Sequence, residues 1–353
     1  MSKRILIMAG GTGGHIIPAL VVAEQLQQQG CTVAWLGTRY GLEEKLVNKA
    51  RIPLFLITMK AIRRSGIKRL LATPYLVCRS LWQCFRIYRR FRPQLVLSMG
   101  GFVAMPGGIT AWLFRVPLVI HEQNTIAGFT NKSLSHLAKH VFTAFPNTKP
   151  AFKNRQYIGN PLPTTICAIP SPTERFLVPH SSVRIAILGG SQGALILNTI
   201  VPEALAQLDH PIEIKHQCGS RHVDITKRHY QQRGLNADIF PFVSDMAEIY
   251  CWADLVICRA GSMTVSELAA AGIAAILIPF PGAVDDHQTY NAKFLTDAGA
   301  ALLLPQTQLN AAYLAETIQE LINNDKLQAM AIKAYQLRKT DAARTLTQEL
   351  LHV

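Results

Sequence analysis

The same local plan occurs twice in this chain, at Gly10 and again 179 residues later at Gly189. In the first copy the apolar run Ile5-Leu6-Ile7-Met8 leads into Gly10-Gly11-Thr12-Gly13-Gly14-His15 and then a helical stretch. In the second, Ile185-Ala186-Ile187-Leu188 leads into Gly189-Gly190-Ser191-Gln192-Gly193-Ala194 and a helix from Leu195. Short apolar runs without alternation suit strands buried on both faces. Strand, glycine loop and helix in that order build a parallel sheet with crossover helices. A second correspondence joins 94–100 to 254–261, each a strand pattern ending in glycine. The chain therefore reads as α/β, with two Rossmann-like doubly wound parallel-sheet domains in tandem. Its 353 residues accommodate two domains, and 49% hydrophobic against 16% charged residues supports real cores and excludes disorder.

Proline near a helix start and glycine past its end predict a first helix beginning at Pro18 and stopping before Gly30. Further strands are expected at 32–36, 54–57, 95–98, 118–121, 141–143 and 276–279. The stretch 159–180 is rich in Pro, Ser and Thr and reads as the connector. The domains are then 1–160 and 161–337. Residues 312–350 read as mostly helical, and the last helix, about 338–353, is a candidate to return to the first domain.

Charge is uneven. Residues 45–121 hold 14 of the 36 Lys and Arg and no Asp or Glu, so the whole excess of +14 lies there. Such asymmetry points to an anionic partner: nucleic acid, anionic lipid or a phosphorylated substrate. No nucleic-acid motif accompanies it. Within 69–93, Cys78, Leu81 or Trp82, Phe85 and Tyr88 recur at helical spacing, with Arg79, Gln83, Arg86 and Arg90 on another face. That suits either a sheet-packing helix with a solvated basic side or an interfacial surface with Tyr75 and Trp82 at headgroup level. Seven cysteines without a CxxC pair suit free thiols in a reducing compartment. The longest uncharged stretch, 93–114, is broken by Gly100, Gly101, Pro106, Gly107 and Gly108 and does not read as a membrane span.

Both glycine loops aim backbone N–H groups and a helix's positive end at an anion. A dinucleotide fingerprint starting at Gly11 fails, because position 16 is Ile and no acidic residue ends the second strand. That disfavours an NAD-dependent oxidoreductase, and a Walker loop is absent. His15 either caps the helix or serves as a base or anion contact at the sheet's ligand-binding edge. A third helix start, Ser262-Met263-Thr264-Val265-Ser266-Glu267, either forms a capping box from Thr264 to Glu267 or holds a phosphate while Glu267 takes ribose hydroxyls. His121-Glu122-Gln123-Asn124 ends a strand on the ligand-facing edge. The polar stretch from Gly282 to Asn291 reads as a ligand loop. Asp285, Asp286 and His287 lack spaced partners, so no obligatory protein-held metal is expected.

Taken in order, Gly10–His15 with Pro18, Gly100-Gly101-Phe102, His121-Glu122-Gln123-Asn124, Gly159-Asn160-Pro161, the Gly189 loop and Thr264-Val265-Ser266-Glu267 resemble the peptidoglycan N-acetylglucosaminyltransferases of glycosyltransferase family 28. The resemblance spans nearly the whole chain. It implies a GT-B fold, two Rossmann-like domains facing across a cleft. It implies inverting transfer of N-acetylglucosamine from UDP-GlcNAc to the C4 hydroxyl of MurNAc in undecaprenyl-pyrophosphoryl-MurNAc-pentapeptide (lipid I), giving lipid II. It implies His15 as candidate base, and Thr12, Gly13, Gly14 and Asn124 beside the transferred sugar and acceptor. Donor contacts would come from Ser191, backbone near Val243, the segment Ser262 to Glu267 with Glu267 on the ribose, and Gln288 on sugar hydroxyls. No cofactor is implied. Expected partners are the anionic cytoplasmic face of a bacterial inner membrane, where the enzyme would sit peripherally, and enzymes of cell-wall synthesis. Two departures stand out: Pro163 where the family usually has Arg, and Phe102-Val103-Ala104-Met105-Pro106 where it usually has Tyr followed by Ser-Gly-Pro. Alternatives are a related GT-B enzyme acting on another membrane lipid and a basic nucleic-acid-binding protein.

Overall fold

The structure, a computed structural model, describes residues 2–11, 13–38, 43–59, 67–177, 181–190, 193–323 and 325–353. Thr12 and Ser191, two of the expected site residues, lie outside them.

The chain forms two units, Met1–Leu162 with Thr340–Val353, and Pro163–Lys339. In the first, the elements run β1 (Arg4–Met8), α1 (Gly13–Gln28), β2 (Thr32–Thr38), α2 (Glu43–Lys49), β3 (Leu54–Ile57), α3 (Ile67–Phe91), β4 (Leu95–Ser98), α4 (Ala104–Leu113), β5 (Leu118–Glu122), α5 (Phe129–Leu134), β6 (His140–Thr143) and β7 (Arg155–Tyr157). The second opens with two short helices, α6 (Thr164–Cys167) and α7 (Pro172–Arg175), in the stretch read as connector. It continues β8 (Val183–Leu188), α8 (Leu195–Leu205), β9 (Ile212–Gln217), α9 (Val223–Gln231), β10 (Asp238–Phe240), α10 (Met246–Trp252), β11 (Leu255–Cys258), α11 (Ser262–Ala271), β12 (Ala274–Leu277), α12 (His287–Thr296), β13 (Ala301–Leu303), α13 (Ala311–Asn323) and α14 (Lys326–Gln336). The final helix, α15 (Ala342–His352), belongs to the first unit.

Both sheets are parallel, in orders β3-β2-β1-β4-β5-β6-β7 and β10-β9-β8-β11-β12-β13. Each order reverses beside the unit's first strand, at β1/β4 and β8/β11. Open α/β sheets bind ligands outside the carboxyl ends of strands at that switch point. The first-strand glycine loops therefore stand where a ligand is expected in each unit.

Burial explains which strands form. Ile5, Leu6, Ile7 and Met8 are all fully buried, because helices cover both sheet faces. Leu346 and Leu350 of α15 join the same core cluster as Ile5, Ile7 and Leu26. Lys3 Nζ donates to the Leu350 carbonyl at 2.8 Å, and Thr347 Oγ1 donates to Gln25 Oε1 at 3.2 Å.

Three sequence expectations are corrected. The first helix starts at Gly13, not Pro18, which lies inside it. Proline there deletes one backbone hydrogen bond without ending the helix. Gly13, Gly14 and His15 thus form its first turn, with the positive end of a 16-residue helix behind them. The strand expected at 276–279 is Ala274–Leu277, shifted two residues. On α3, Ser80, Cys84 and Tyr88 are the buried positions, whereas Cys78, Trp82 and Phe85 are exposed. Gln83, expected on a solvated face, pairs with Thr58 instead: Thr58 N donates to its Oε1 at 2.7 Å and its Nε2 donates to Thr58 Oγ1 at 3.1 Å.

Candidate active site

In the first unit the loops after β1, β4 and β5 converge. The Gly10 carbonyl lies 2.4 Å from where a Cβ on Gly101 would stand, so only glycine at 101 lets the two loops meet backbone to backbone. His15, half-buried in the first turn of α1, places Nδ1 3.0 Å from Gln123 Oε1. Gly13 and Gly14 precede it in the same turn, and a Cβ on Gly13 would meet only Ile17 Cδ1, at an ordinary 3.5 Å. Asn124 is half-buried and lies just past the end of β5 (Leu118–Glu122).

His121, Glu122 and Gln123 do not line the surface: each is at most 1% exposed. Instead they build the floor. Glu122 Oε1 accepts from Asn124 N at 2.9 Å and Asn124 Nδ2 at 3.3 Å. Its Oε2 accepts from Gly128 N at 3.2 Å and Asn131 Nδ2 at 2.9 Å. A buried carboxylate is tolerated only with such partners. The result is an Asn124 pinned next in sequence to Gln123, the residue that meets His15. Burial holds His121 far below the usual histidine range, at about 4, despite the hydrogen bond to the Gly159 carbonyl, which acts in the opposite direction.

In the second unit the loops after β8, β10, β11 and β12 carry the expected donor residues. Helix α11 starts at Ser262 with Gly261 as its N-cap and no side-chain cap. The capping-box reading of Thr264 and Glu267 is therefore wrong: both lie inside the helix, past the cap position. The first-turn N–H groups of Ser262, Met263 and Thr264 have no intrahelical acceptor, the arrangement that receives an anion. Val265 differs: its side chain is fully buried and its N–H donates to the Gly261 carbonyl at 2.9 Å. Ser266 and Glu267 are half-buried.

Glu267 Oε2 accepts from the hydroxyl of the fully buried Tyr250 at 2.9 Å. Burial raises the Glu267 carboxyl above the usual range, while the Tyr250 hydrogen bond works against that rise. Gln288 Oε1 accepts from Phe280 N at 2.9 Å, which directs its amide nitrogen away from that backbone. Val243 lies half-buried in the loop after β10. That loop is tied to the second glycine loop by Gln217, whose Nε2 donates to the Gly190 carbonyl at 2.9 Å and the Pro241 carbonyl at 3.2 Å. Arg259 braces the strand-end loop, donating to the carbonyls of Ile278 and Pro279, each at 3.1 Å, and to Gln306 Oε1 at 2.7 Å. Among the described residues, no three His, Cys, Asp or Glu side chains are grouped to hold a metal ion.

The N-terminal domain model of glycosyltransferase family 28 matches residues 5–143, and the C-terminal domain model of that family matches residues 184–346. The chain belongs to glycosyltransferase family 28. Relatives include the UDP-N-acetylglucosamine--N-acetylmuramyl-(pentapeptide) pyrophosphoryl-undecaprenol N-acetylglucosamine transferase of Alkalilimnicola ehrlichii, 48% identical over 98% of both chains. The enzyme of the same name from Aeromonas hydrophila is 47% identical over 99% of this chain and 96% of its own. Among solved structures, MurG of Acinetobacter baumannii superposes with a TM-score of 0.88 at 42% identity, covering 99% of this chain and 100% of that one. Family 28 membership makes this chain a glycosyltransferase of GT-B fold.

For a family 28 enzyme the supporting residues are as informative as the expected ones. Tyr250, Gln217 and Arg259 carried no signal that sequence reasoning could weigh, because their partners lie 17 to 47 residues away. Tyr250→Phe should leave the fold intact and weaken UDP-GlcNAc binding about tenfold or more, since one charge-assisted hydrogen bond is worth about 1.5–3 kcal/mol. Glu267→Ala should weaken it further. Titration calorimetry with UDP-GlcNAc separates the cases: equal affinity in the parent and both variants would leave Glu267 no role in the donor site.

Proposed function

We propose that this chain transfers N-acetylglucosamine from UDP-GlcNAc to the C4 hydroxyl of MurNAc in undecaprenyl-pyrophosphoryl-MurNAc-pentapeptide, forming lipid II for peptidoglycan. The observation that carries this is 48% identity across 98% of the chain to a relative named for that reaction. The two switch-point edges, each with an anion-seeking helix start, agree with it.

The chemistry is an inverting displacement. His15 takes the proton of the C4 hydroxyl, the oxygen attacks C1 of the donor sugar, and the C1–O bond to UDP breaks with its electron pair staying on the diphosphate. A neutral hydroxyl is a weak nucleophile, so a base in reach of it lowers the barrier. Negative charge grows on the leaving diphosphate. The positive ends of α8 and α11 are suited to it, in the way preorganised N–H donors stabilise developing charge. Glu267, oriented by Tyr250, takes the ribose hydroxyls, backbone near Val243 the uracil, and Gln288 the sugar. Transfer then needs no metal held by the protein. Labelled UDP-GlcNAc and a soluble lipid I analogue, with and without chelator, test this. Equal product in both conditions is expected. Loss of product with chelator would return the diphosphate's stabilisation to a metal, and donor binding without transfer would assign the enzyme a different acceptor.

The acceptor is lipid-borne, and the first unit offers a surface for lipid. No described helix is long and apolar enough to cross a membrane. Tyr75 is 66% exposed, Trp82 58% and Trp112 57%, all on α3 and α4, which pack together through Phe85, Tyr88 and Phe114. Arg86 stacks over Trp82 at 4.8 Å and Arg89 over Phe85 at 5.7 Å. Exposed aromatics among arginines suit the headgroup layer of an anionic leaflet. Arg86→Ala with Arg89→Ala should weaken binding to phosphatidylglycerol vesicles about 30-fold, at about 1 kcal/mol for each charge. Co-sedimentation measures it, and unchanged binding would move the lipid face elsewhere.

A further inference from the structure

Three motifs of the first unit meet in one chain of hydrogen bonds. His15 Nδ1 lies 3.0 Å from Gln123 Oε1, Gln123 Nε2 lies 3.2 Å from His121 Nδ1, and His121 Nε2 lies 2.9 Å from the Gly159 carbonyl oxygen. Gln123 Nε2 also donates to the His121 carbonyl at 3.1 Å. Gln123 and His121 are both fully buried, so water does not substitute for these partners.

The direction of every proton in this chain follows from two backbone carbonyls, which only accept. The Gly159 carbonyl requires hydrogen on His121 Nε2. Burial keeps His121 neutral, with its pKa down at about 4, so its Nδ1 carries a lone pair. That lone pair, and independently the His121 carbonyl, require the NH₂ end of Gln123 to face them. The Gln123 amide is thereby oriented twice over, and its oxygen is left facing His15. An amide oxygen accepts, so the hydrogen of neutral His15 must be on Nδ1. Among the described residues nothing bonds His15 Nε2.

We infer that Gln123 and His121 are positioning residues that hold neutral His15 in its Nδ1–H form and leave Nε2 as the bare nitrogen that accepts the sugar hydroxyl's proton. The inference rests on the reading of His15 as the base and deepens it. An imidazole with the opposite tautomer would present an N–H to the incoming hydroxyl and could not take its proton. Fixing the tautomer through a second hydrogen bond is how histidine bases are made ready in general. Here a neutral amide does it, with a second histidine behind it and a backbone carbonyl as the anchor. The motifs around His15, Gln123 and Gly159 are thus parts of one device, although 144 residues separate the first from the last.

The test uses the full chain labelled with ¹⁵N-histidine, its His15 signals assigned by their loss in His15→Asn. Long-range ¹H–¹⁵N correlation distinguishes a protonated from a bare ring nitrogen. The parent should show His15 protonated on Nδ1 and bare on Nε2 at a pH where it is neutral. Hydrogen on Nε2 instead would overturn the inference without recourse to any variant. Gln123→Met, close in shape but with no amide oxygen, should release His15 to the Nε2–H form. Its kcat should fall about 10²-fold or more, the scale of a general base's contribution, with KM for UDP-GlcNAc held. An unchanged tautomer in Gln123→Met, or a changed tautomer with parental kcat, would equally overturn it. Failure of the underlying reading looks different: His15→Ala would then keep parental turnover, and the catalytic half of the inference would fall with it whatever the tautomer.

Discussion

Replacing His15 by alanine should slow sugar transfer by about 10²- to 10⁴-fold while leaving UDP-GlcNAc affinity nearly unchanged. The split follows from where the residue stands. His15 belongs to the first unit, in the opening turn of α1, whereas the donor contacts proposed here, Thr264, Glu267 and Gln288, belong to the second. Its removal takes away a proton acceptor and no donor-binding group. Single-turnover kinetics measured beside calorimetric UDP-GlcNAc binding gives both numbers. Parental turnover in His15→Ala would remove the base assignment; a fall in affinity matching the fall in rate would make His15 a binding group instead.

Gly193→Ala should cost the second unit at least about 2 kcal/mol of stability, from left-handed backbone strain and a lost hydrogen bond, and weaken UDP-GlcNAc binding more than tenfold. Gly193 has φ +75°, and a Cβ there would stand 2.1 Å from the Cys218 carbonyl oxygen. That carbonyl has little freedom to retreat. Asn198 Nδ2 donates to it at 3.0 Å, Asn198 Oδ1 accepts from His216 Nε2 at 3.0 Å, and His216 Nδ1 accepts from the Tyr230 hydroxyl at 2.9 Å. Asn198, His216 and Tyr230 are all buried, so moving Cys218 disturbs a network that water cannot repair. The glycine loop must yield instead, and with it the start of α8. Denaturant unfolding and calorimetry are the measurements. A variant with the parental midpoint and affinity would show that the loop relaxes freely.

Legibility divided along physical lines. Strands β1, β4, β5, β8 and β11 are buried on both faces, so their apolar runs stand out within one or two residues of their ends. Strands β9 and β10 carry Glu213, Lys215 and Asp238 toward the sheet's edge and lack that signal. The three-residue strands β7 and β13, near the other edges, were equally silent. On α3 the spacing of Cys78, Trp82 and Phe85 was visible, but not which face turned inward. Periodicity reports a stripe; only neighbours decide whether protein or solvent covers it. Here α4 meets Cys84 through Thr110 and Tyr88 through the Gly107 carbonyl, to which the Tyr88 hydroxyl donates at 2.8 Å, while Ser80 Oγ donates to the Thr58 carbonyl at 3.1 Å.

The site shows the same division. Glycine loops, a histidine and a glutamate at strand ends are chemical types at local spacings, and the residue order alone carries them. So is the family, since an ordered set of short motifs is a property of the chain and not of its fold. What the sequence could not decide is which side chain holds which. Gln123 facing His15 across 108 positions, Tyr250 under Glu267, and Gln217 between two loops are choices made by geometry, because a hydrogen bond depends on ångströms and angles that sequence separation does not encode. Composition and order determined two doubly wound sheets with anion-seeking loops. The packing of those sheets decided that His121 and Glu122 face inward as support, and that half-buried His15 has one nitrogen already engaged by Gln123.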